Sequence, residues 1–204
     1  MIKAIIFDWF GVCTEEFSKR LVRGLSKEIK SKNAILKSYG KYELDFTLSK
    51  ISSGNVLKNM FRDLKVNKSI NDYLYIFNKT SKIRSEIFQL AKKLRTKYKT
   101  AILSDNFDEM TRTIRRNINL KNYFDIVLFS NEIGLVKRKD RIYRVIIKKL
   151  NCKPNECIFI DDKKENIRRA GKLGMNGVLF RNVRQVKKYW LNLALNQNVY
   201  KGHS

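Results

Sequence analysis

The chain alternates short apolar runs that stop abruptly at a polar residue with longer stretches in which apolar residues recur every three or four positions. Ile5-Ile6-Phe7 runs into Asp8, Ala101-Ile102-Leu103 into Ser104, and Ile158-Phe159-Ile160 into Asp161-Asp162. A run that is apolar on both alternating faces fits a strand buried on both sides, which parallel sheets provide. Between the first and second runs the period changes. Phe17, Leu21, Leu25 and Ile29 recur at helical spacing, Leu57, Met60, Phe61 and Leu64 follow, and no convincing strand appears until residue 100.

From Ser81 onward strands and helices alternate. Ile83, Ile87, Leu90, Ala91 and Leu94 form a helical stripe, followed by a strand over Thr100 to Leu103 and a helix over Asp108 to Asn117. A strand over Phe124 to Phe129, a helix from Asp140 carrying Tyr143, Ile146, Ile147 and Leu150, and a strand over Cys157 to Ile160 come next. A helix over Lys164 to Leu173 stops at Gly174, a candidate left-handed cap, before a strand over Gly177 to Phe180 and a last amphipathic helix with Val186, Tyr189, Trp190 and Leu193. Such alternation predicts an α/β fold: a Rossmann-like parallel sheet with helices on both faces and a small helical cap inserted after the first strand. The expected division is a core of residues 1–14 and 82–204 with a cap of 15–81.

Composition adds limits. The 204 residues suffice for one core with an inserted module. The first residues reach an acid too soon for a signal peptide, and no stretch approaches a membrane span, so a soluble, cytoplasmic protein without membrane contact is expected. Cys13, Cys152 and Cys157 form no CxxC pair and the single His203 stands near the end, which indicates neither a disulfide framework nor a zinc site. The net charge of +25 raises nucleic acid as a partner. The basic residues are spread evenly, however, and form no basic tail, which favours solvated faces and attraction for anionic substrates.

The strand ends carry the candidate chemistry, because α/β proteins build sites at the carboxyl edge of the sheet. Asp8, followed by Gly11 where the chain must turn, can attack phosphorus as a nucleophile. Asp161 and Asp162 repel one another, and a hard cation such as Mg²⁺, shared with Asp8, relieves that repulsion. The Ser104 hydroxyl and the Asp105 backbone amide can bind phosphate oxygens, and Lys137 supplies a point charge for phosphate and for developing negative charge. Each alone has an ordinary structural use: Asp8 as a strand end, Asp161-Asp162 or Ser104 as a helix cap, Lys137 as one of 44 basic residues.

In order and spacing these segments resemble the haloacid dehalogenase-like (HAD) hydrolase superfamily. Phe7-Asp8-x-x-Gly11-Val12, Leu103-Ser104, Lys137, and Ile160-Asp161-Asp162-Lys163-Lys164-Glu165-Asn166-Ile167 with Ala170 and Gly174 are similar to its four motifs. Ile51-Ser52-Ser53-Gly54 and Gly134-Leu135-Val136-Lys137 with Ile142-Tyr143 are similar to the subgroup of α-glucose-1-phosphatase and the amino-terminal phosphatase domain of soluble epoxide hydrolase. The resemblance implies that Asp8 is nucleophile and Mg²⁺ ligand, that Phe10 lends only its carbonyl, that Asp162 is the principal acidic ligand, and that Asp161 assists directly or through water. Two positions depart from the pattern. Phe10 stands where most such phosphatases carry an acid–base aspartate, and Arg138 where the family usually has proline.

The expected function is a Mg²⁺-dependent phosphomonoester hydrolase acting on a small phosphorylated metabolite, with Asp8, Ser104 and Lys137 catalytic and Ser104, Asp105 and Lys137 binding substrate. Two other readings follow from Phe10 and the charge. One is a weak or inactive binding protein on the same fold, for which nucleic acid is a candidate partner though not the favoured one; the other is a metal-independent haloacid dehalogenase.

Overall fold

A computed structural model describes residues 1–79 and 82–199, without the side chains of 193–199. Ser81, His203 and the side chain of Leu193 therefore lie outside the described residues. The chain begins with β1 (Ala4–Phe7) and passes through four helices, α1 (Phe17–Leu25), α2 (Lys32–Thr47), α3 (Ser53–Asp63) and α4 (Tyr75–Asn78). It then continues as α5 (Ser85–Leu94), β2 (Lys99–Ser104), α6 (Asp108–Asn117), β3 (Ile126–Phe129), α7 (Ser130–Ile133), α8 (Asp140–Leu150), β4 (Cys157–Asp161), α9 (Lys164–Lys172), β5 (Asn176–Leu179) and α10 (Val183–Val199). Among the described residues no helix is long and apolar enough to cross a membrane.

The five strands form one parallel sheet in the order β3-β2-β1-β4-β5, so β1 is central. Its side chains alternate between two apolar layers. Ile5 and Phe7 point into a cluster with Ile87, Phe88, Ile114 and Trp190, whereas Ala4 and Ile6 point into one with Ile142, Ile146 and Ala170. Burial on both faces explains why these strands are uniformly apolar rather than alternating. The first cluster runs on past the sheet edge through Phe10 and Phe107 to Phe17, Phe46 and Phe77, so the helical insert and the sheet share one continuous core. Phe107 lies at its middle, 4.3 Å from the Phe46 ring and 5.1 Å from that of Phe17.

Several element boundaries differ from the sequence expectation. The helix starting at Phe17 ends at Leu25, yet Ile29 is still buried because the following turn folds back onto the same core. Ile83 precedes α5 rather than lying in it, and Leu64 caps α3. Strand β3 begins at Ile126, not Phe124, because Asp125 intervenes. The Asp125 amide donates to the Thr100 carbonyl at 2.8 Å, and its Oδ2 accepts from the Thr100 amide at 2.8 Å, so a side chain stands in for a ladder bond.

Asp125 also receives Arg95 Nε on Oδ1 at 2.7 Å. Burial works to raise its carboxyl, but the Thr100 amide and Arg95 outweigh it and hold the group below the usual carboxylate range. Replacing Asp125 by Ala strands the buried Thr100 amide, and a loss of about 1–3 kcal/mol in unfolding free energy is expected. A carboxyl depressed in the folded state contributes stability above its unfolded value of about 3.9 and loses it as the pH falls further. Urea unfolding should therefore show the full difference between the two proteins at neutral pH and a shrinking one below about pH 4.

Candidate active site

Register brings the acids together. Phe7 pairs with Ile160, and the Asp8 amide donates to the Ile160 carbonyl at 2.9 Å, so Asp8, just after β1, and Asp161, the last residue of β4, emerge side by side. Carboxylate oxygens of Asp8, Asp161 and Asp162 lie within 4.8 Å of one another. Beyond Asp8 the chain doubles back at Gly11, whose φ of +88° favours glycine and whose missing Cβ would stand 2.0 Å from Asp162 Oδ2. Glycine is thus required here both by backbone conformation and by the space that Asp162 occupies. Arg84, at the N-cap of α5, fixes this loop by donating to the carbonyls of Gly11, Val12 and Thr14.

Lys137 lies within this acidic cluster. Its buried ammonium contacts Asp8 Oδ2 at 2.8 Å and Asp161 Oδ2 at 2.7 Å, and sits over the Phe159 ring. Asp161 is fully engaged: Oδ1 accepts from the Lys163 amide at 2.8 Å and Asn166 Nδ2 at 3.0 Å, while Oδ2 accepts from Asn166 Nδ2 at 2.9 Å as well as from Lys137. Asp8 Oδ1 accepts from the Trp9 amide at 2.7 Å. Asp162 differs. Its Oδ1 is buried with no hydrogen-bond partner among the described residues.

Charge follows the same geometry. Burial lifts the Asp8 carboxyl well above the ordinary range, and Asp161 and Asp162 add to this while Lys137 opposes it. Burial works against the Lys137 ammonium, yet Asp161, Asp8 and Asp105 outweigh it and hold the group well above its usual value. Burial, then Asp161, pushes Asp162 up to about 6. Lys137 thus faces four carboxylates, those of Asp8, Asp105, Asp161 and Asp162, with Lys163 a lesser influence on Asp105 and Asp162. An orphaned acceptor in an electron-rich, oxygen-only set fits a hard divalent cation.

A cavity of about 70 Å³ opens beside Asp8 and is lined by Asp105, Lys137 and Lys163 from the sheet edge, by Phe10 and Phe107, and by Phe17, Tyr39 and Glu43 from the insert. Ser104 is buried at the end of β2, and its hydroxyl donates to the Asp105 carbonyl at 3.3 Å. Phe10 packs 5.7 Å from Phe17 and 6.2 Å from Phe107. The residues singled out in the sequence thus gather along one sheet edge. The capping alternatives are not used as such: α6 begins after Phe107, and the residue before α9 is Lys163, so neither Ser104 nor Asp162 caps a helix.

Sequence reasoning gave no role to Asn166, Arg84 or the Asp105 side chain. Asn166 lies within the fourth motif-like segment, and its spacing of five from Asp161 is the signal that could have found it. Arg84 carries no local signal, since it acts on carbonyls about seventy positions earlier.

Comparison with known proteins adds four findings. A family model described as haloacid dehalogenase-like hydrolase matches residues 2–174. Bifunctional epoxide hydrolase 2 of Rattus norvegicus is 32% identical over 104 residues, 48% of this chain and 19% of that protein, so the chain spans about a fifth of the relative's length. (S)-2-haloacid dehalogenase 1 of Pseudomonas sp. (strain CBS-3) is 30% identical over 92 residues, 45% of this chain and 40% of that protein. A HAD family enzyme from Bacteroides thetaiotaomicron superposes with a TM-score of 0.71 at 21% identity, covering 88% of this chain and 94% of that one; a variant of that enzyme has been crystallised with magnesium and inorganic phosphate.

Proposed function

Because this chain belongs to the haloacid dehalogenase-like hydrolase family, we propose that it is a magnesium-dependent phosphomonoester hydrolase that works through an aspartyl phosphate at Asp8. The observation that carries this reading is the buried, unpartnered Oδ1 of Asp162 beside an Asp8 that already receives the Lys137 ammonium. A dehalogenase that needs no metal has no use for that second oxygen. Asp8, the Phe10 carbonyl and Asp162 would hold the ion, and Asp161 serves by fixing Lys137. When bound, magnesium neutralises charge between the incoming phosphate and the carboxylates.

The protein's own residues do the rest. Asp8 is held by the Trp9 amide on one oxygen and Lys137 on the other, which fixes the carboxylate for attack on phosphorus. Lys137, kept charged by its acidic neighbours, balances negative charge as the phosphoryl group transfers. The Ser104 hydroxyl and the Asp105 amide bind phosphate oxygens. The insert, residues 15–81, acts as a cap whose Phe17 and Tyr39 exclude water from a cavity sized for a small substrate. That size weighs against a polynucleotide as the reacting species.

The test is hydrolysis of p-nitrophenyl phosphate. Turnover with Mg²⁺ and its loss in EDTA are expected. Chloride or fluoride release from a haloacid without metal would instead favour the dehalogenase reading, and salt-sensitive retention of RNA with no hydrolysis would favour a binding protein.

A further inference from the structure

Cleaving a phosphomonoester of an ordinary alcohol leaves an alkoxide that must collect a proton, and the Phe10 side chain on the nucleophile's own loop has none to give. Besides Asp8, the cavity is lined by three carboxylates: Glu16, Glu43 and Asp105. Glu43 is committed to Arg138 across the cavity's edge. Glu16 occupies the N-cap position of α1 and makes no side-chain cap bond there. Asp105 is the only one of the three that comes from the sheet edge, directly after Ser104, and it is held in one orientation. Its Oδ1 accepts from the Lys137 amide at 2.8 Å, and its Oδ2 has no hydrogen-bond partner among the described residues.

We propose that Asp105 is the proton donor and acceptor of this site, acting through the oxygen that Lys137 leaves free. The inference rests on the phosphatase reading and deepens it. In the first half, an Asp8 oxygen forms a bond to phosphorus, the bond from phosphorus to the substrate oxygen breaks, and the Asp105 proton moves to that departing oxygen. In the second half, water attacks the phosphorus of the aspartyl phosphate, its proton returns to Asp105, and Asp8 and inorganic phosphate are released. Protons and charge balance over the two halves, with no further reactant.

Two physical features favour this residue. A carboxylate turned toward a bound phosphate is repelled unless it carries a proton, and once protonated it becomes a hydrogen-bond donor to the same group. Burial lifts the Asp105 carboxyl above its ordinary range, with Lys137 and Lys163 opposing, so the direction of the shift suits a proton carrier. Lys137 is thereby placed between nucleophile and acid: its ammonium contacts Asp8 and its amide orients Asp105.

Asp105→Asn keeps an acceptor for the Lys137 amide and removes only the proton. With Mg²⁺ present, kcat/KM for a simple alkyl phosphate is expected to fall by about 10²–10⁴-fold, and for 2,4-dinitrophenyl phosphate, whose leaving group needs no proton, by less than about tenfold. The variant should also release dinitrophenol in a burst, because its phosphoenzyme has lost the base that activates water. An equal loss on both substrates would make Asp105 a positioning residue for Lys137 and overturn the proposal while the phosphatase reading stands. Wild type that fails to hydrolyse even 2,4-dinitrophenyl phosphate would overturn both. If the variant does not fold, the wild type decides: a kcat/KM nearly independent of leaving-group basicity supports the proton donor, and a steep dependence sinks it.

Discussion

Asp8→Asn is expected to lower Mg²⁺-dependent turnover of p-nitrophenyl phosphate by about 10⁴-fold or more, measured under saturating metal against a mock-purified control. The size follows from replacing the proposed nucleophilic carboxylate by a neutral amide, whose oxygen is far too weak a nucleophile to form the covalent intermediate. The amide nitrogen is not a nucleophile at neutral pH, and the one remaining oxygen cannot serve both neighbours. In the native site the two oxygens of Asp8 accept from two donors, the Trp9 amide and the Lys137 ammonium. Asparagine supplies one acceptor, so it turns its NH₂ toward one of those donors and misplaces the group as well as blunting it. Residual turnover equal to wild type would remove Asp8 from the mechanism. A thermal melt run alongside separates this outcome from simple unfolding.

Lys137→Met is expected to be the most damaging single change to stability, at about 3–5 kcal/mol, together with loss of turnover. The ammonium is buried, and it answers two carboxylates that are buried with it. Removing it leaves Asp8 and Asp161 facing one another with no compensating charge, which costs far more than the ion pair itself contributes. Lys137→Arg is not expected to rescue, because a planar fork cannot replace a compact ammonium held between two oxygens and over the Phe159 ring. The cause can be isolated with a double variant. Adding Asp161→Asn to Lys137→Met removes one stranded charge and should recover part of the lost unfolding free energy, whereas additive losses in denaturant titrations would contradict the account.

Much of the fold was legible because its signals are local. Helix α6 and the start of α8 follow the apolar period and the flanking polar residues closely, and Gly174 takes the left-handed conformation, φ +87°, expected of a helix stop. Strand β3 starts later than its apolar run suggests, for a tertiary reason. Phe124 looks like strand, but it is an aromatic wedge against Phe7 and Phe88, and Asp125 replaces a ladder bond with its side chain. Ile29 and Ile83 kept the helical period outside any helix, because buried turns also favour apolar side chains.

In the site, residue types and their order along the chain were readable, since a polar residue ending an apolar run marks the sheet edge wherever it occurs. Individual oxygens were not. That Asp161 is saturated by Asn166, Lys163 and Lys137 while Asp162 keeps a bare oxygen depends on side-chain direction, which alternates along a strand and then changes where the strand ends. Local pattern was enough to give a doubly covered parallel sheet, a helical insert after its first strand, acids and a hydroxyl at strand ends, and a lysine between two strands. These follow from hydrophobic period and chain stiffness over a few residues at a time. Tertiary packing alone places Lys137 between Asp8 and Asp161, sets Arg84 against the loop that follows Asp8, and brings Asp105, held by the Lys137 amide, to the wall of the same cavity. Such contacts join segments far apart in the chain, and the register of neighbouring strands and the packing of a shared core, not local preference, bring them within hydrogen-bond distance.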